Sequence, residues 1–206
     1  VVLLLVLIAF NLPEETRKEN NWKSYPYKIP GTDIRFPEAE GSHGEDEDTW
    51  ISIWMELRTD YKDNEEDDIN FAALYHAHNK EILYSSEEKH RDTQSDIFDG
   101  NMSLSDSGMD MEFKNRFENS TDVLRSIEGD RAFYYRFISN FEFNGSKYQL
   151  NLSIKATKPP AVMFDGRVDL EKRYYYEYTL PSCDVSGYIE KDGSRMKVNG
   201  TCTIEN

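Results

Sequence analysis

The sequence has little positive charge for its length. Its 206 residues contain 24 lysines and arginines against 39 aspartates and glutamates, which gives a net charge of −15. Binding to a phosphate backbone requires clustered basic side chains, so the composition argues against a nucleic-acid partner. We interpret the acidity as a charged, solvated surface. The chain is long enough to form one domain with a substantial core.

The sequence also lacks the local patterns of the common catalytic and cofactor sites. It has no glycine-rich phosphate loop, no Cys-x-x-Cys pattern and no Ser-His-Asp order above chance. His76 and His78 end an apolar run and could chelate a metal from one strand face, but no third ligand is identifiable. We therefore predict neither a metal site nor a cofactor.

Long hydrophobic runs are missing too, and no run is long enough to cross a bilayer as a helix. Residues 1–11 carry the longest, VVLLLVLIAF, which is typical of a signal-peptide core or, alternatively, of a short membrane anchor. We expect a secreted or extracytoplasmic protein that contacts a membrane only through this segment. Asn-x-Ser/Thr sequons agree with export and predict glycosylation at Asn101, Asn119, Asn151 and Asn199.

The clearest structural signal is a hairpin in residues 133–154. Apolar and polar residues alternate on both sides of Asn144-Gly145, and Asn-Gly favours a type I′ turn because both central residues take positive φ. This turn places Phe141 opposite Tyr148. One face is then rich in aromatic side chains and the other is polar, so a one-residue slip would mix the faces.

A second hairpin is predicted around Asp192-Gly193. Its register places Cys183 opposite Cys202, and these are the only two cysteines in the chain. For an exported protein we predict a disulfide between them, with two free buried thiols as the alternative. A bulge nearby would make the geometry of the bridge more comfortable.

Alternation recurs along the chain, and helical periodicity is scarce. WISIWMELR and INFAALYHAH predict strands, whereas residues 85–108 read as a polar loop. We predict an all-β fold, either an antiparallel lipocalin-like barrel or a curled sandwich, over residues 50–206, preceded by an irregular segment over 12–49. A barrel of about eight strands can enclose one small apolar ligand.

The strand that begins near Trp50 has two different faces. Ile51 and the alternate aliphatic residues after it share one face, while Trp50 and Trp54 share the other with Glu56 and Arg58. Tryptophans that point into a barrel would line a ligand cavity. Tryptophans that point outward would be covered by the N-terminal segment or by another domain. We favour the outward orientation, because charged side chains resist burial.

Several stretches resemble the first domain of the AttH-like / carotenoid 1,2-hydratase family. YQLNLSIKATKPPAVMFDG, RYYYEYTLPSCDVSGYIEKDG and MKVNGTCTIEN are similar to its K-P-P segment, its tyrosine-rich strand and its V-x-G…D-G…V-x-G hairpin. FPEAEGSH and DTWI resemble its F-P-x-x-x-x-x-H segment and its E-W-W-Y strand start. The resemblance covers residues 25–206 approximately. Where the family has E-W-W-Y, this chain has DTWI, so two aromatic residues are absent.

The resemblance implies that this chain is the N-terminal domain of a two-domain lipocalin-like protein, with the second domain as its partner. It implies binding of an apolar small molecule, a lipid or an isoprenoid. The first alternative is a hydro-lyase of the carotenoid 1,2-hydratase type that requires the second domain. The other alternative is a structural glycoprotein module.

Hydration of an alkene needs a neutral carboxylic acid that protonates carbon, and aromatic faces that stabilise the carbocation. Asp48 beside Trp50 is the local candidate for such an acid. The residues that we predict to contact the apolar ligand are Trp50, Trp54, Tyr75, Tyr135 and Phe137.

Overall fold

The computed structural model describes residues 21–41, 50–59, 68–86, 94–106, 108–117, 119–127, 131–170 and 173–206. The apolar residues 1–11 and the predicted acid Asp48 lie outside these ranges. Across the described ranges, no helix is both long and apolar enough to span a membrane.

The described residues form thirteen β-strands and a 3₁₀ helix at Glu38–Glu40. The strands are β1 Tyr27–Lys28, β2 Arg35–Phe36, β3 Ile51–Thr59, β4 Asp68–Tyr75, β5 Asn79–Ser86, β6 Gln94–Leu104, β7 Asp110–Asn115, β8 Thr121–Ser126, β9 Tyr134–Phe143, β10 Ser146–Ala156, β11 Ala161–Leu170, β12 Arg173–Lys191 and β13 Ser194–Glu205.

Ten of these strands close into an antiparallel barrel. Neighbours pair in the order β10-β9-β8-β7-β6-β5-β4-β3-β13-β12, and β12 pairs back onto β10 with Leu150 opposite Ile189. β11 pairs with the N-terminal part of β12 and extends the sheet beyond the ring. The all-β prediction is confirmed, and of its two forms the barrel is observed. Closure gives each strand of the ring a hydrogen-bonded neighbour on both sides, so the ring has no edge strand.

Both predicted hairpin registers are confirmed. Asn144 and Gly145 have φ values of 51° and 75°, as a type I′ turn requires, and Phe141 stacks on Tyr148 with ring centroids 5.1 Å apart. The apolar face of this hairpin points into the barrel. It buries Tyr135, Phe137, Phe141, Phe143, Tyr148, Leu150, Leu152 and Ile154.

The prediction of a loop over residues 85–108 is wrong, because strand β6 occupies Gln94–Leu104. β6 pairs with β5 on one side and β7 on the other, and it turns Phe98, Met102 and Leu104 toward the core. Its outward positions are polar except Ile97, which is 70% exposed, and this apolar residue on the outward face hides the alternation. Gly100 fits here because a Cβ at this position would lie 2.3 Å from the Phe113 ring.

Residues 21–41 form a strap over the end of the barrel at which β7 and β9 begin. Its strands β1 and β2 pair with each other. Backbone N–H groups of Ala132 and Gly108 donate to the carbonyls of Lys23 and Pro37, which joins the strap to the barrel. The strap contributes buried apolar side chains to the core, among them Phe36.

Candidate functional site

A carboxyl group lies buried between the strap and the barrel. Glu40, at the end of the 3₁₀ helix, has no solvent exposure. The hydroxyl of Tyr25, also in the strap, donates to Oε2 at 2.5 Å, and the hydroxyl of Tyr135 on β9 donates to Oε1. The backbone N–H of Met109 also donates to the carboxylate. We call Glu40, Tyr25 and Tyr135 the Glu40 cluster.

Burial dominates the electrostatics of this cluster. Loss of solvent raises the pKa of Glu40 from 4.5 to about 7, although the hydroxyl and N–H donors act in the opposite direction. Burial and the facing carboxylate raise the pKa of Tyr25 and Tyr135 above the ordinary tyrosine value, so both hydroxyls keep their protons. Glu40 can therefore exchange a proton near neutral pH while its neighbours stay neutral.

Aromatic rings surround the carboxyl group. Phe133 packs against Phe36 of the strap at 4.8 Å between ring centroids, and against Tyr25 at 5.8 Å. Phe36 in turn meets Tyr178 of β12 edge-on at 5.0 Å. Phe133 also has a φ of 59°, an unfavourable value for a bulky side chain that this packing holds in place. The result is a packed cluster of aromatic rings, whose faces tolerate positive charge.

A second polar group lies deeper in the barrel. Lys80 Nζ lies 2.6 Å from Oδ2 of Asp122, and the two side chains are 0% and 1% exposed. Tyr75 and Ser139 donate to the same oxygen at 2.9 and 2.8 Å, and the N–H of Asn140 donates to Oδ1 at 2.8 Å. We call Lys80, Asp122, Tyr75 and Ser139 the Lys80 cluster.

The ammonium group of Lys80 has further partners besides Asp122. Nζ donates to the carbonyl of Asn140 at 2.8 Å and lies over the rings of Phe98 and Phe113 at 5.1 and 5.6 Å. A buried ion pair is tolerated only when such additional contacts replace water. Every member of the Lys80 cluster thus has a hydrogen-bond partner inside the protein, and we interpret the cluster as structural.

Strand β9 connects the two clusters. Tyr135, Phe137 and Ser139 occupy successive inward positions, and Tyr135 and Ser139 are about 13 Å apart along the strand. Phe137 lies between them and packs on Tyr75 at 6.4 Å. The structure thus brings together three of the predicted ligand-contacting residues, Tyr75, Tyr135 and Phe137, all in the interior. Their contact with a ligand stays a prediction.

The two tryptophans lie elsewhere. The aliphatic residues of β3 point inward, as predicted, and Trp54 stands on the outer wall with 45% of its surface exposed. Trp50 is half-buried just before β3 begins. Neither residue belongs to the Glu40 cluster or the Lys80 cluster.

Among the side chains that the structure describes, three charged ones are buried, Glu40, Lys80 and Asp122, and sequence reasoning missed all three. A signal was present for two of them. Lys80 alternates with Ile82 on the inward face of β5, and Asp122 shares the inward face of β8 with an apolar neighbour. A charge in an apolar register indicates a buried partner. Glu40 has no such local signal, although it lies within the FPEAEGSH segment.

The cysteines face each other in the predicted register. Cys183 is the cross-strand partner of Cys202, both are buried, and both are free thiols in this structure. The register shifts between Leu180 and Cys183, so a bulge does occur beside the pair. Hydrogen bonding to Cys183 and burial raise the pKa of the Cys202 thiol. The disulfide stays a prediction.

Three of the predicted glycosylation sites, Asn101, Asn119 and Asn199, have exposed side chains. Asn151 is half-buried and accepts a hydrogen bond from Arg136 Nε at 3.2 Å. Modification at all four stays a prediction.

The strand expected to reach His78 ends at Tyr75, because the N–H of His76 closes a turn onto the carbonyl of Asn79. Within the described ranges, no three His, Cys, Asp or Glu side chains are grouped so that they could hold a metal.

Comparison with known proteins identifies the fold. No protein-family model matches the chain, and no curated protein matches it. A protein assigned as AttH from Nitrosomonas europaea shares the fold with a TM-score of 0.55 and 16% identity, over 86% of this chain and 56% of that one. Kievitone hydratase from Nectria haematococca gives a TM-score of 0.48 and 15% identity, over 82% and 49%. The chain thus spans about half the length of each. The predicted AttH-like resemblance is confirmed at the level of the fold.

Proposed function

We propose that this AttH-like barrel binds an apolar small molecule of the lipid or isoprenoid class at its strap-covered end, beside Glu40. The observation that carries the proposal is the packed aromatic cluster between strap and barrel. There Trp22, Tyr27 and Phe36 of the strap surround Phe133, with centroid distances from 4.8 to 6.4 Å. A ligand of the same apolar character could replace these strap rings.

The way the strap is attached supports this site. β1 and β2 add no strand to the barrel ring, so lifting the strap breaks none of the ladders that close the barrel. Opening costs the side-chain packing, which an apolar ligand restores, together with the backbone hydrogen bonds from Ala132 and Gly108 to the strap and the hydrogen bond from Tyr135 to Glu40. The hydroxyl of Tyr135, which stays on β9 when Glu40 and Tyr25 move with the strap, would bind the one polar group of such a ligand.

A second candidate function is hydration of an isolated alkene, and the raised pKa of Glu40 favours it. A neutral Glu40 would transfer its proton to one alkene carbon, leaving a carbocation on the other. The faces of Phe133 and Tyr178 would stabilise that cation. Water would then add to it and return a proton to the carboxylate, so that alkene and water yield an alcohol.

A titration with a fluorescent polyene fatty acid tests the binding proposal. We expect saturable binding to the chain and at least about tenfold weaker binding to Phe133→Leu, which keeps the apolar character but removes the ring. Phe117→Ala, at a ring 78% exposed to solvent, is the matched control and should bind as the unmodified chain does. Absence of saturable binding, or equal weakening in both variants, contradicts the proposal.

Incubation with an acyclic isoprenoid in deuterated water separates the two functions. A hydratase would yield an alcohol with one carbon-bound deuterium, and Glu40→Gln would abolish the product while retaining probe binding. If the unmodified protein binds the isoprenoid but forms no product, the binding function stands and the hydratase function is excluded.

A further inference from the structure

A groove with a volume of about 530 Å³ lies on the outer wall of the barrel, away from the strap. Trp54 of β3 forms one side, and the bulge of β12 at Pro181 and Ser182 forms another. The groove runs across β13, β3, β4 and β5, all of which turn their core side chains to the opposite face. It therefore shares no cavity with the Glu40 cluster.

The indole of Trp54 is held in a defined orientation. Its Nε1–H donates to Ser52 Oγ at 3.2 Å, and Ser52 Oγ donates to Glu205 at 3.1 Å. The cross-strand neighbour on β4 is the small Ala72, followed by Leu83 on β5. The N–H edge of the ring is thus occupied by the protein, and 45% of the residue stays open to solvent as an apolar platform.

A polar row runs beside this platform. Thr201, Glu56 and Asn70 are aligned across β13, β3 and β4, two residues along each strand from the Trp54 row, which is about 7 Å. In the part of the chain that the structure describes, no side-chain hydrogen bond or ion pair engages Glu56 or Asn70. Their donors and acceptors therefore face the groove unused.

We propose that this groove binds a neutral saccharide. A pyranose has one face of C–H groups, which would stack on Trp54, and a rim of hydroxyls, which would reach Glu56, Asn70 and Thr201. At this spacing the Glu56 carboxylate can accept a hydrogen bond from one sugar hydroxyl while the Asn70 amide donates to a neighbouring one.

Two other ligand classes fit less well. A wholly apolar ligand would cover Glu56 and Asn70 without satisfying them, and an unpaired buried polar group is costly. An anionic ligand would approach a carboxylate on a chain whose net charge is −15. The chemistry of the groove thus points to uncharged hydroxyl groups combined with an apolar face.

An array of neutral glucose, mannose, galactose and N-acetylglucosamine oligosaccharides tests the proposal, with calorimetry on the oligosaccharide that gives the strongest signal. We expect Trp54→Ala to weaken binding at least about tenfold, and Asn70→Ala to weaken it by a smaller factor. The exposure of both side chains leaves the core intact, so these variants should melt as the unmodified chain does.

Tyr188→Ala is the matched control, because Tyr188 is an aromatic residue 42% exposed on the outside of β12 and absent from the groove. It should bind as the unmodified chain does. The proposal is overturned if no neutral oligosaccharide binds, if Trp54→Ala and Tyr188→Ala weaken binding equally, or if only charged saccharides bind. The saccharide should leave binding of the polyene fatty acid unchanged, which keeps this result separate from that of the strap-covered site.

Discussion

Removing one member of the buried ion pair should destabilise the barrel more than removing any ion pair at its surface. Asp122→Asn leaves the ammonium of Lys80 with no opposite charge in a site that is 0% exposed. Breaking a buried pair in this way costs about 3–5 kcal/mol, out of a total stability of about 5–15 kcal/mol for a domain. Urea unfolding followed by circular dichroism should show the midpoint falling by about 1–2 M at unchanged slope.

Removing the lysine instead of the aspartate should lower the free energy of unfolding by less. In Lys80→Met, the carboxylate of Asp122 keeps donors from Tyr75, Ser139 and the backbone of Asn140. We expect a loss of about 2 kcal/mol, because these donors still solvate the charge. The double variant Asp122→Asn/Lys80→Met should be more stable than the sum of the single losses predicts, since no buried charge is left unpaired.

Arg125→Met is the control for an ordinary ion pair. Arg125 Nε lies 2.7 Å from Asp110 with side chains 50% and 45% exposed, and such pairs contribute about 0–1 kcal/mol. The reasoning fails if Asp122→Asn costs no more than Arg125→Met, or if the two single losses simply add in the double variant.

Two further predictions concern titration and oxidation. Glu40 has a pKa of about 7 in the folded chain against an ordinary value of 4.5, so the folded state holds its proton between these two pH values. The free energy of unfolding therefore falls as pH rises through this interval, by about 3 kcal/mol in total. Unfolding measured at pH 5 and pH 8 should show this loss in the unmodified chain and not in Glu40→Gln, and parallel pH profiles of the two proteins would refute the prediction. Cys183 and Cys202 should form a disulfide in protein exported through an oxidising compartment. The bridge closes a loop of about twenty residues and should add about 3 kcal/mol to the free energy of unfolding. Two alkylatable thiols in non-reducing peptide maps of secreted material would refute this prediction.

The hairpins were predictable because their rules are local. Asn144-Gly145 and Asp192-Gly193 define the turns, and alternation then assigns the cross-strand partners of both hairpins as far as the bulge beside Cys183. β6 was missed because Ile97 lies on its otherwise polar outward face and its glycine interrupts the inward apolar series, so the inward residues became visible only beside β7.

The candidate site was less accessible to sequence reasoning because its groups come from distant parts of the chain. Lys80 meets Asp122 across 42 positions, and Tyr135 meets Glu40 across 95. No local pattern singles out Glu40 among the many carboxylates, and the raised pKa of Glu40 depends on its burial. The outward orientation of Trp54 was predictable, because Glu56 and Arg58 share its face of the strand.

The pairing of β13 with β3 has a consequence for synthesis of the chain. Thr59 pairs with Val198, and Ser52 forms a hydrogen bond with Glu205, which lies 153 positions later in the chain. A nascent chain that lacks residues 194–205 therefore leaves β3 and β12 as open edges, although every other strand of the ring is already available. Open edges recruit strands from other chains, and pairings this distant in sequence form slowly. The ring is thus exposed to pairing with other chains in the interval before β13 is made.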